Sequence, residues 1–430
     1  MATPQTIDNI SELSTLLKTV YGDSVENQQN LAAMLYKQFD KTDVQFGGNN
    51  YEFPARMVNT QSVGARGYRM GLPVPVVNID VPCRVRHKFI YGTFDIPGPD
   101  IEKGKGNVNA FVNVLTDKMK SLTEMVLKDM NMQTYLDGTG IRATASTVFT
   151  AGVATVDRVK YLRVGMHVNV VDSTDGVTLL AGGESDPGDT GPYASKRFTI
   201  MSINATTLAI TVGTGEPLAA ANPTGTGIGD FVVRHKAVGS ELTGLGAIID
   251  DGVNNTGALV LQDIDRSTSP LWKAKTLAAA APRDLTLNLM QISMDVPEIQ
   301  SGRRIDKVVG SFNARDRYLQ LLVPQKRFTD LKMDGGFQTL EYNGRDFLVD
   351  VDCPDETVWF LSKDSIKKYG LFELSFVEQG GGILKHESLS AGDVFYGFLR
   401  AICNLGTTQA NANAQLTDLV VDSSYSSIAA

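Results

Sequence analysis

The chain has 430 residues, of which 42% are hydrophobic and 20% are charged, and its net charge is −8 at pH 7. This length suits two or three domains of about 150 residues each. No run of about 18 apolar residues is present, so we expect no transmembrane helix and no integral membrane protein. The acidic balance argues against a protein that grips nucleic acid through phosphate contacts, because that affinity comes from clustered lysine and arginine.

The N-terminal sequence and the cysteines bear on the compartment. Residues 1–10 have neither the basic head nor the apolar centre of a secretory signal, so we expect the chain to stay in the cytoplasm where it is made. Cys83, Cys353 and Cys403 are far apart and odd in number, which matches neither a zinc pattern nor a full set of disulfides. We expect all three to be reduced core residues.

Residues 1–45 are predicted to form a helical arm. Two helices are expected within residues 10–39, because apolar residues recur there at helical spacing: Leu13, Leu16, Leu17, Val20, Leu31, Met34 and Leu35.

The next region, residues 46–106, is predicted to be a long two-stranded hairpin and its return strand. Its apolar residues alternate with polar ones, first at Tyr51, Phe53 and Ala55, and then at Val81, Cys83, Val85, Phe89 and Tyr91. The tip, SVGARGYRMGLPVP, is rich in turn residues, and three of its glycines are predicted hinges: Gly64, Gly67 and Gly71.

A lone two-stranded hairpin is only marginally stable in water, so this one needs a surface to lie on. That surface is either its own chain or a neighbouring subunit. Residues 51–92 contain six basic and two acidic side chains, a net charge of +4 in an acidic protein, which favours a neighbouring subunit. The candidate assembly contacts are the basic residues Arg56, Arg66, Arg69, Arg84, Arg86 and Lys88.

Residues 107–151 contain the clearest predicted helix, which runs to about residue 137 with apolar residues at spacings of three and four and with no internal proline or glycine. Asn107 or Asn109 is suited to cap its start and Gly138 to end it. Such a helix is roughly 46 Å long, at 1.5 Å per residue. Residues 152–236 then alternate short strands with turns, which indicates an inserted small β-barrel or β-sandwich.

The remaining regions are mixed. Residues 237–330 are predicted to connect through a helix near residues 285–294, a strand at 307–309 and a helix at 314–322. Residues 331–405 are predicted to hold strands and one short helix at 363–369. Residues 406–430 are polar and rich in Asn, Ala and Ser, and are predicted to be a loosely held tail.

No catalytic, cofactor or metal site is predicted. The four histidines are scattered without ligand spacing, and GTGIGD at 225–230 lacks the lysine of a phosphate loop, so it is interpreted as a turn between strands. The carboxylates of Asp350, Asp352, Asp355 and Glu356 are of the type that binds divalent cations, but a solvated turn is the favoured interpretation. Trp272 and Trp359 are expected to be packing anchors.

The order of these parts resembles the major capsid proteins of tailed bacteriophages, which have the Hong-Kong-ninety-seven-type fold. The most specific stretch is residues 335–405, with GGFQTLEYNGRDFLVDVDCPDETVWFLSKDSIKKY, GGGILKH and DVFYGFLRAICNL. The resemblance implies an α+β capsid fold with an N-terminal arm, an extended loop, a spine helix in a peripheral domain and an axial domain at 331–405. The insertion at 152–236 departs from the basic pattern.

The resemblance also implies a function. Such a chain self-assembles into pentamers and hexamers of an icosahedral shell that encloses double-stranded DNA without reading its sequence. It becomes part of the virion after assembly in the host bacterial cytoplasm. About 45 residues precede the hairpin, so a separate scaffolding protein is expected, together with a portal and possible decoration proteins.

Two other functions stay open at this point. An encapsulin-like nanocompartment shell has a similar fold, although those chains are usually shorter and lack so large a β insertion. From a different class, a hydrolase or carbohydrate-binding protein built on β modules is the third alternative.

Overall fold

The computed structural model describes residues 33–42, 50–60, 62–99, 114–185, 192–215, 218–252, 259–322, 341–378, 384–386 and 393–426. They fall into two compact units. The smaller unit contains residues 92–99, 114–124, 376–378, 384–386 and 393–399, and the larger unit contains the others. Most of the predicted N-terminal arm lies outside the described residues, as do the predicted helix caps Asn107 and Asn109.

The helices of the described part are α1 (Leu35–Gln38), α2 (Val114–Tyr135), α3 (Leu245–Ile248), α4 (Leu287–Ser301), α5 (Phe312–Leu322) and α6 (Ser423–Ser426). Two short 3-10 turns cover Pro270–Trp272 and Ala410–Ala412.

The strands of the first half are β1 (Asn50–Val58), β2 (Ile79–Arg86), β3 (Lys88–Pro97), β4 (Ile141–Thr144), β5 (Val153–Thr155), β6 (His167–Val171), β7 (Phe198–Asn204), β8 (Ala209–Thr214), β9 (Ala219–Ala220) and β10 (Phe231–Arg234). The strands of the second half are β11 (Val260–Leu261), β12 (Ile264–Asp265), β13 (Lys275–Leu277), β14 (Lys307–Gly310), β15 (Glu341–Tyr342), β16 (Arg345–Val349), β17 (Val358–Leu361), β18 (Ile366–Phe376), β19 (Lys385–His386), β20 (Val394–Thr407) and β21 (Ala414–Leu416). The chain is therefore a mixed α+β protein, as predicted.

A six-stranded sheet with the order β13-β21-β17-β14-β16-β15 forms the centre of the larger unit. Its strands are mixed: β13 runs parallel to β21 and β14 parallel to β16, while the other pairs are antiparallel. Helices α4 and α5 cover it through buried Met290, Met294 and Tyr318, which pack with Phe347 and Leu416 of the sheet. A second sheet contains β18, β20 and β19, and β3 also pairs with β20.

The β insertion forms a sheet of its own with the order β4-β10-β6-β7-β8-β5, and β9 pairs with β8. A bridge between Ala145 and Val156 joins the outer edges of β4 and β5, so the sheet closes into a small barrel. Phe198, Ile200 and Ile210 are fully buried inside it. The turn at 225–230 is shaped by Gly225 and Gly229, which have positive φ, and by Asp230, which accepts a hydrogen bond from the Gly227 N–H at 2.6 Å. Its interpretation as a turn is confirmed.

Helix α2 is the longest helix of the described part, with 22 residues or roughly 33 Å. Its C-terminal half is embedded in the larger unit, where Met130 and Met132 are buried. The helix ends at Tyr135, and Gly138 follows in the left-handed region with φ 84°. A Cβ at Gly138 would lie 2.9 Å from the Leu242 carbonyl oxygen, so the glycine also lets the two backbones approach.

The predicted short helix at residues 363–369 is wrong, because the chain enters strand β18 at Ile366. Ile366 and Tyr369 are three residues apart, a spacing that would also put them on one face of a helix, and both are buried. In the structure, Gly370 instead marks a close approach to β20: a Cβ there would lie 3.3 Å from Cβ of Cys403. Pairing within the sheet therefore overrode a local helical pattern.

The predicted loose tail is also wrong for its first dozen residues. Strand β21 is an inner strand between β13 and β17, and Ala410, Ala412 and Ala414 are fully buried. Asn413 is buried too, and its side-chain oxygen accepts hydrogen bonds from the Ser362 N–H at 3.0 Å and the Ser365 hydroxyl at 2.9 Å. Small and amide side chains made this segment look solvated, although they serve here as close-packing and hydrogen-bonding core residues.

Three local expectations concern single side chains. Phe89 and Tyr91 are 57% and 58% exposed, whereas Ile90 is buried, so the predicted alternation is out of phase in β3. All three cysteines are free and buried, which confirms their interpretation. Trp272 and Trp359 are both buried in the large core cluster and are packing anchors as predicted.

Candidate assembly interface

The base of the hairpin is formed by β1 and β2 in antiparallel register. Tyr51 faces Val85, Phe53 faces Cys83 and Ala55 faces Val81, so the apolar residues predicted on each strand share one face. Cys83 is fully buried in the large core cluster, together with Ala55 and Met57. The strands therefore pack on their own chain, which was one of the two surfaces considered for the hairpin, and the preference for a neighbouring subunit is wrong for its base.

Two further contacts hold the base in place. The Arg84 N–H donates to the Gln262 carbonyl at 3.0 Å, next to strand β12. The ring of Tyr51 lies 5.0 Å from the ring of Tyr369, between centroids. Backbone pairing and aromatic packing thus fix the orientation of the hairpin at its base.

Side chains hold the neck of the tip together in place of a regular strand ladder. The Thr60 N–H donates to the Asn78 side-chain oxygen at 2.7 Å, and the Thr60 hydroxyl donates to the Val76 carbonyl at 2.7 Å. The Val76 N–H donates to the Ser62 hydroxyl at 2.6 Å. These polar residues were not singled out from the sequence, because Thr, Ser and Asn are ordinary loop residues until their partners are known.

A β-turn closes the tip. The Met70 N–H donates to the Gly67 carbonyl at 3.0 Å, and Arg69 has a φ of 74°. Gly64, Gly67 and Gly71 do not have positive φ, and a Cβ at Gly64 or Gly71 would meet no atom within 4 Å. The left-handed position that normally favours glycine is therefore occupied by Arg69. Whether the three glycines act as hinges stays a prediction.

The tip exposes an unusual number of large apolar side chains. Tyr68 is 94% exposed, Leu72 is 89% exposed and Val63 is 88% exposed. Five more on the same segment are at least half exposed, namely Met70, Val74, Val76, Val77 and Ile79. Isolated apolar residues on a surface are normal, but eight exposed ones within seventeen residues are a concentration of the kind that marks an interaction site.

The predicted basic contacts divide into two groups. Arg56 pairs with Asp80 at 2.8 Å, and Arg84 pairs with Glu52 at 3.0 Å across the hairpin. Three more contacts join the hairpin region to other parts of the same unit. Arg86 and Arg84 pair with Asp263 at 2.9 Å and 3.8 Å, and the Lys88 ammonium donates to the Gly239 carbonyl at 2.5 Å. Each of these four residues thus has a partner within the protein.

Arg66 and Arg69 form the second group. Both are exposed on the tip, and within the described residues neither makes an ion pair. The Arg69 guanidinium lies 5.7 Å from the centroid of the Tyr68 ring. The uncompensated positive charge of the hairpin is therefore concentrated at its end, beside the exposed apolar side chains.

The acidic group at 350–356 is not a solvated turn, which corrects the favoured interpretation for its first two members. Asp350 and Asp352 are buried, and the Lys128 ammonium of α2 lies 2.8 Å from Asp352. Asn131 donates to both carboxylates, at 3.1 Å and 2.6 Å. Burial raises the pKa of Asp352, while Lys128 and Asn131 act in the opposite direction.

The same group anchors the segment that precedes the hairpin. The Leu35 N–H donates to the Asp350 carboxylate at 3.2 Å, and the Tyr36 N–H donates to the Asn131 side-chain oxygen at 3.0 Å. These carboxylates therefore serve a structural role in which they join α1, α2 and the central sheet. Within the described residues, no group of three or more His, Cys, Asp or Glu side chains has the arrangement of a metal site.

A second buried charge cluster fixes the barrel to α2. Arg142 of β4 is fully buried and pairs with Glu241 and with Asp129, the latter at 3.3 Å. Arg234 of β10 also pairs with Asp129, at 2.6 Å. Burial alone would raise the pKa of Asp129, but the attraction of Arg142 and Arg234 outweighs it and leaves this pKa lowered.

The fold of the chain is similar to that of solved capsids. A chain of the cyanophage A-1(L) capsid asymmetric unit aligns with a TM-score of 0.60 at 12% identity, over 96% of this chain and 99% of that one. The phage capsid fold is therefore the fold of this protein. The capsid of the empty GTA particle gives a TM-score of 0.54 at 8% identity, over 96% and 100% of the two chains. The capsid of the native GTA particle gives 0.53 at 8% identity, over 96% and 98%.

Sequence comparisons add no relative to this structural likeness. No model of a known protein family matches the chain, and no curated protein matches it. Among the described helices of this capsid fold, none has the length and apolar character needed to cross a bilayer.

Proposed function

We propose that this chain is the major capsid protein of a tailed phage, which self-assembles into an icosahedral shell around double-stranded DNA. The capsid fold over nearly the whole chain supports this function. The observation that carries it is the hairpin tip, whose apolar side chains are left uncovered by its own chain. In a shell, every subunit has neighbouring copies of the same chain, and such a copy is the partner that would cover the tip.

Assembly, not catalysis, is the role that the chemistry of the described residues supports. The buried carboxylates that resembled a cation site are used to join structural elements. We propose that the protein is not an enzyme and that it encloses DNA without sequence-specific contacts. Its net charge of −8 suits a container for DNA, because an acidic protein does not bind the phosphate backbone tightly and leaves the packaged DNA free to move.

Further partners and locations belong to the same proposal. The subunits form pentamers and hexamers, and a separate scaffolding protein, a portal and possible decoration proteins complete the particle. Assembly takes place in the cytoplasm of the host bacterium, and the finished protein is part of the virion. The proposed roles by region are arm at 1–45, extended loop at 46–106, spine at 107–151, insertion at 152–236, connection at 237–330 and axial domain at 331–405. Residues 406–417 are part of the core and are not proposed as a tail.

The direct test is to express the chain alone and together with its neighbouring genes, and to examine the products by negative-stain electron microscopy. We expect closed shells that protect DNA from nuclease when the complete set of genes is present. A chain that stays a discrete monomer in size-exclusion chromatography under all these conditions would contradict the proposal. Shells that contain an enzyme instead of DNA would favour a nanocompartment.

The charge of the tip gives a second test. Replacing Arg66 and Arg69 with glutamate should weaken assembly and leave the chain soluble, because both side chains are exposed and make no ion pair within the described part of the chain. A control that reverses two exposed charges elsewhere, Lys37→Glu with Lys120→Glu, makes the same change in net charge. Normal shells from the tip variant would contradict a role for the basic tip.

A further inference from the structure

A large cleft in the larger unit lies between the barrel and the central sheet. Its volume is about 980 Å³, which is near the upper end of the range for ligand pockets, so it has room for several side chains. The barrel contributes the loop at 173–176 and the ends of β4 and β10, α2 contributes its last turn, and the central sheet contributes β13, β17 and β21.

The lining of this cleft is acidic. One basic residue, Arg158, faces it, together with five acidic residues: Asp137, Asp175, Asp250, Glu356 and Asp418. The carboxylates come from loops and strand ends that are far apart in the sequence, so only the folded chain brings them together. The fully buried Asp250 is paired with Arg266 at 3.7 Å, so the other four carboxylates and Arg158 leave the lining with a formal charge of −3, which makes it attractive to a basic segment.

Apolar side chains lie among these charges. Ile141 and Phe231 of the barrel are half-buried at one wall, and Trp359 of the central sheet lies at the other. A partner that combines positive charge with apolar side chains would therefore match the cleft better than a purely polar ion or a purely apolar ligand.

The hairpin tip of the same chain has that combination. It carries Arg66 and Arg69 next to Tyr68 and Leu72, all exposed, and a single β-turn closes it. Because Tyr68 is 94% exposed, the tip does not fill the cleft of its own copy. A tip that docks in this cleft therefore has to belong to another copy.

We propose that the hairpin tip of one copy docks in the barrel-to-sheet cleft of the next copy. This inference rests on the proposed function and names the surface that receives the tip. Such a contact is heterologous, since different surfaces of the two copies meet, and repetition of a heterologous contact closes into a ring when the rotation permits. The inserted barrel thereby forms one wall of the receptor for a neighbouring subunit.

Disulfide trapping tests this contact directly, because the native cysteines are buried and give little background. In the variant Tyr68→Cys with Thr174→Cys, one cysteine is on the tip and the other is at the rim of the cleft. Oxidation of assembled particles should link successive copies and give a ladder of covalent multimers on a denaturing gel. Either single variant should give no ladder, and a mixture of the two single variants should give dimers only.

The matched control is Tyr68→Cys with Thr207→Cys, since Thr207 is equally exposed on the barrel but does not line the cleft. If Tyr68→Cys weakens assembly, Ala65→Cys with Thr174→Cys preserves the aromatic side chain and is expected to give the same ladder. Intact shells without a ladder, or with an equal ladder in the control, would overturn the inference and leave the proposed function standing. A wild-type chain that never forms particles would overturn both.

Discussion

Removal of the two most exposed apolar side chains near the turn should raise the concentration needed for assembly. Tyr68→Ser with Leu72→Ser leaves the folded subunit nearly unchanged, because Tyr68 is 94% exposed and Leu72 is 89% exposed. Full burial of one such side chain contributes about 1.5–3 kcal/mol. Ordering the side chain at an interface costs about 0.5–1.5 kcal/mol.

For the two side chains together, burial contributes about 3–6 kcal/mol and ordering costs about 1–3 kcal/mol. The net loss is therefore about 2–3 kcal/mol for each tip, which lowers the association constant of each contact roughly 30- to 150-fold. The assay is the dependence of light scattering and pelleting on protein concentration, with urea unfolding of the unassembled subunit as a check on its stability. Val164→Ser, at a 64% exposed position on the barrel, is the matched control. If the tip variant and the control both assemble at the same protein concentration as the wild type, the argument that the tip is covered by another copy is refuted.

Three further predictions concern the folded subunit. Lys128→Met leaves Asp352 buried without its cation and should lower the free energy of unfolding by about 3–5 kcal/mol, as measured by urea unfolding. The double variant Lys128→Met with Asp352→Leu should recover most of that loss. Equal losses in the single and the double variant would contradict this prediction. Burial raises the pKa of Asp250 to about 6, so its contribution to stability is full below an unfolded pKa of about 3.9 and is lost as pH rises through about 6. Asp250→Asn should flatten this decline when unfolding midpoints are compared between pH 4 and pH 7, and an unaltered profile would refute the assignment. Leu416→Ala should lower the free energy of unfolding by about 2–5 kcal/mol, because the side chain is fully buried in β21. The control Ile299→Ala, at an 81% exposed position, should have little effect. Similar unfolding midpoints for the two variants would show that the C-terminal strand is not part of the core.

Much of the hairpin base was predictable because its signal is local. The alternation at Tyr51, Phe53 and Ala55 has the two-residue period of a strand, and it pairs in register with the alternation that ends at Val85. The tip was recognisable from its turn residues. Its left-handed position was not, since Arg69 stands where a glycine would be expected.

The functional value of the basic residues was only partly predictable. Six basic side chains in one segment indicated an interaction surface, but four of them have partners on their own chain. Composition counts charges and does not show which of them are neutralised by the fold. Only Arg66 and Arg69 are left at the tip without an ion pair in the described residues.

The sequence by itself determined the α+β character, the paired apolar face of the hairpin and the buried free cysteines, because these follow from periods and compositions within short windows. The tertiary structure decided which carboxylates are buried, that β21 lies inside the central sheet, and that Arg86 is held by a residue 177 positions away. Pairings over such distances depend on how separate elements pack. No local pattern encodes them, so the acidic turn and the C-terminal strand were both mistaken for solvated segments.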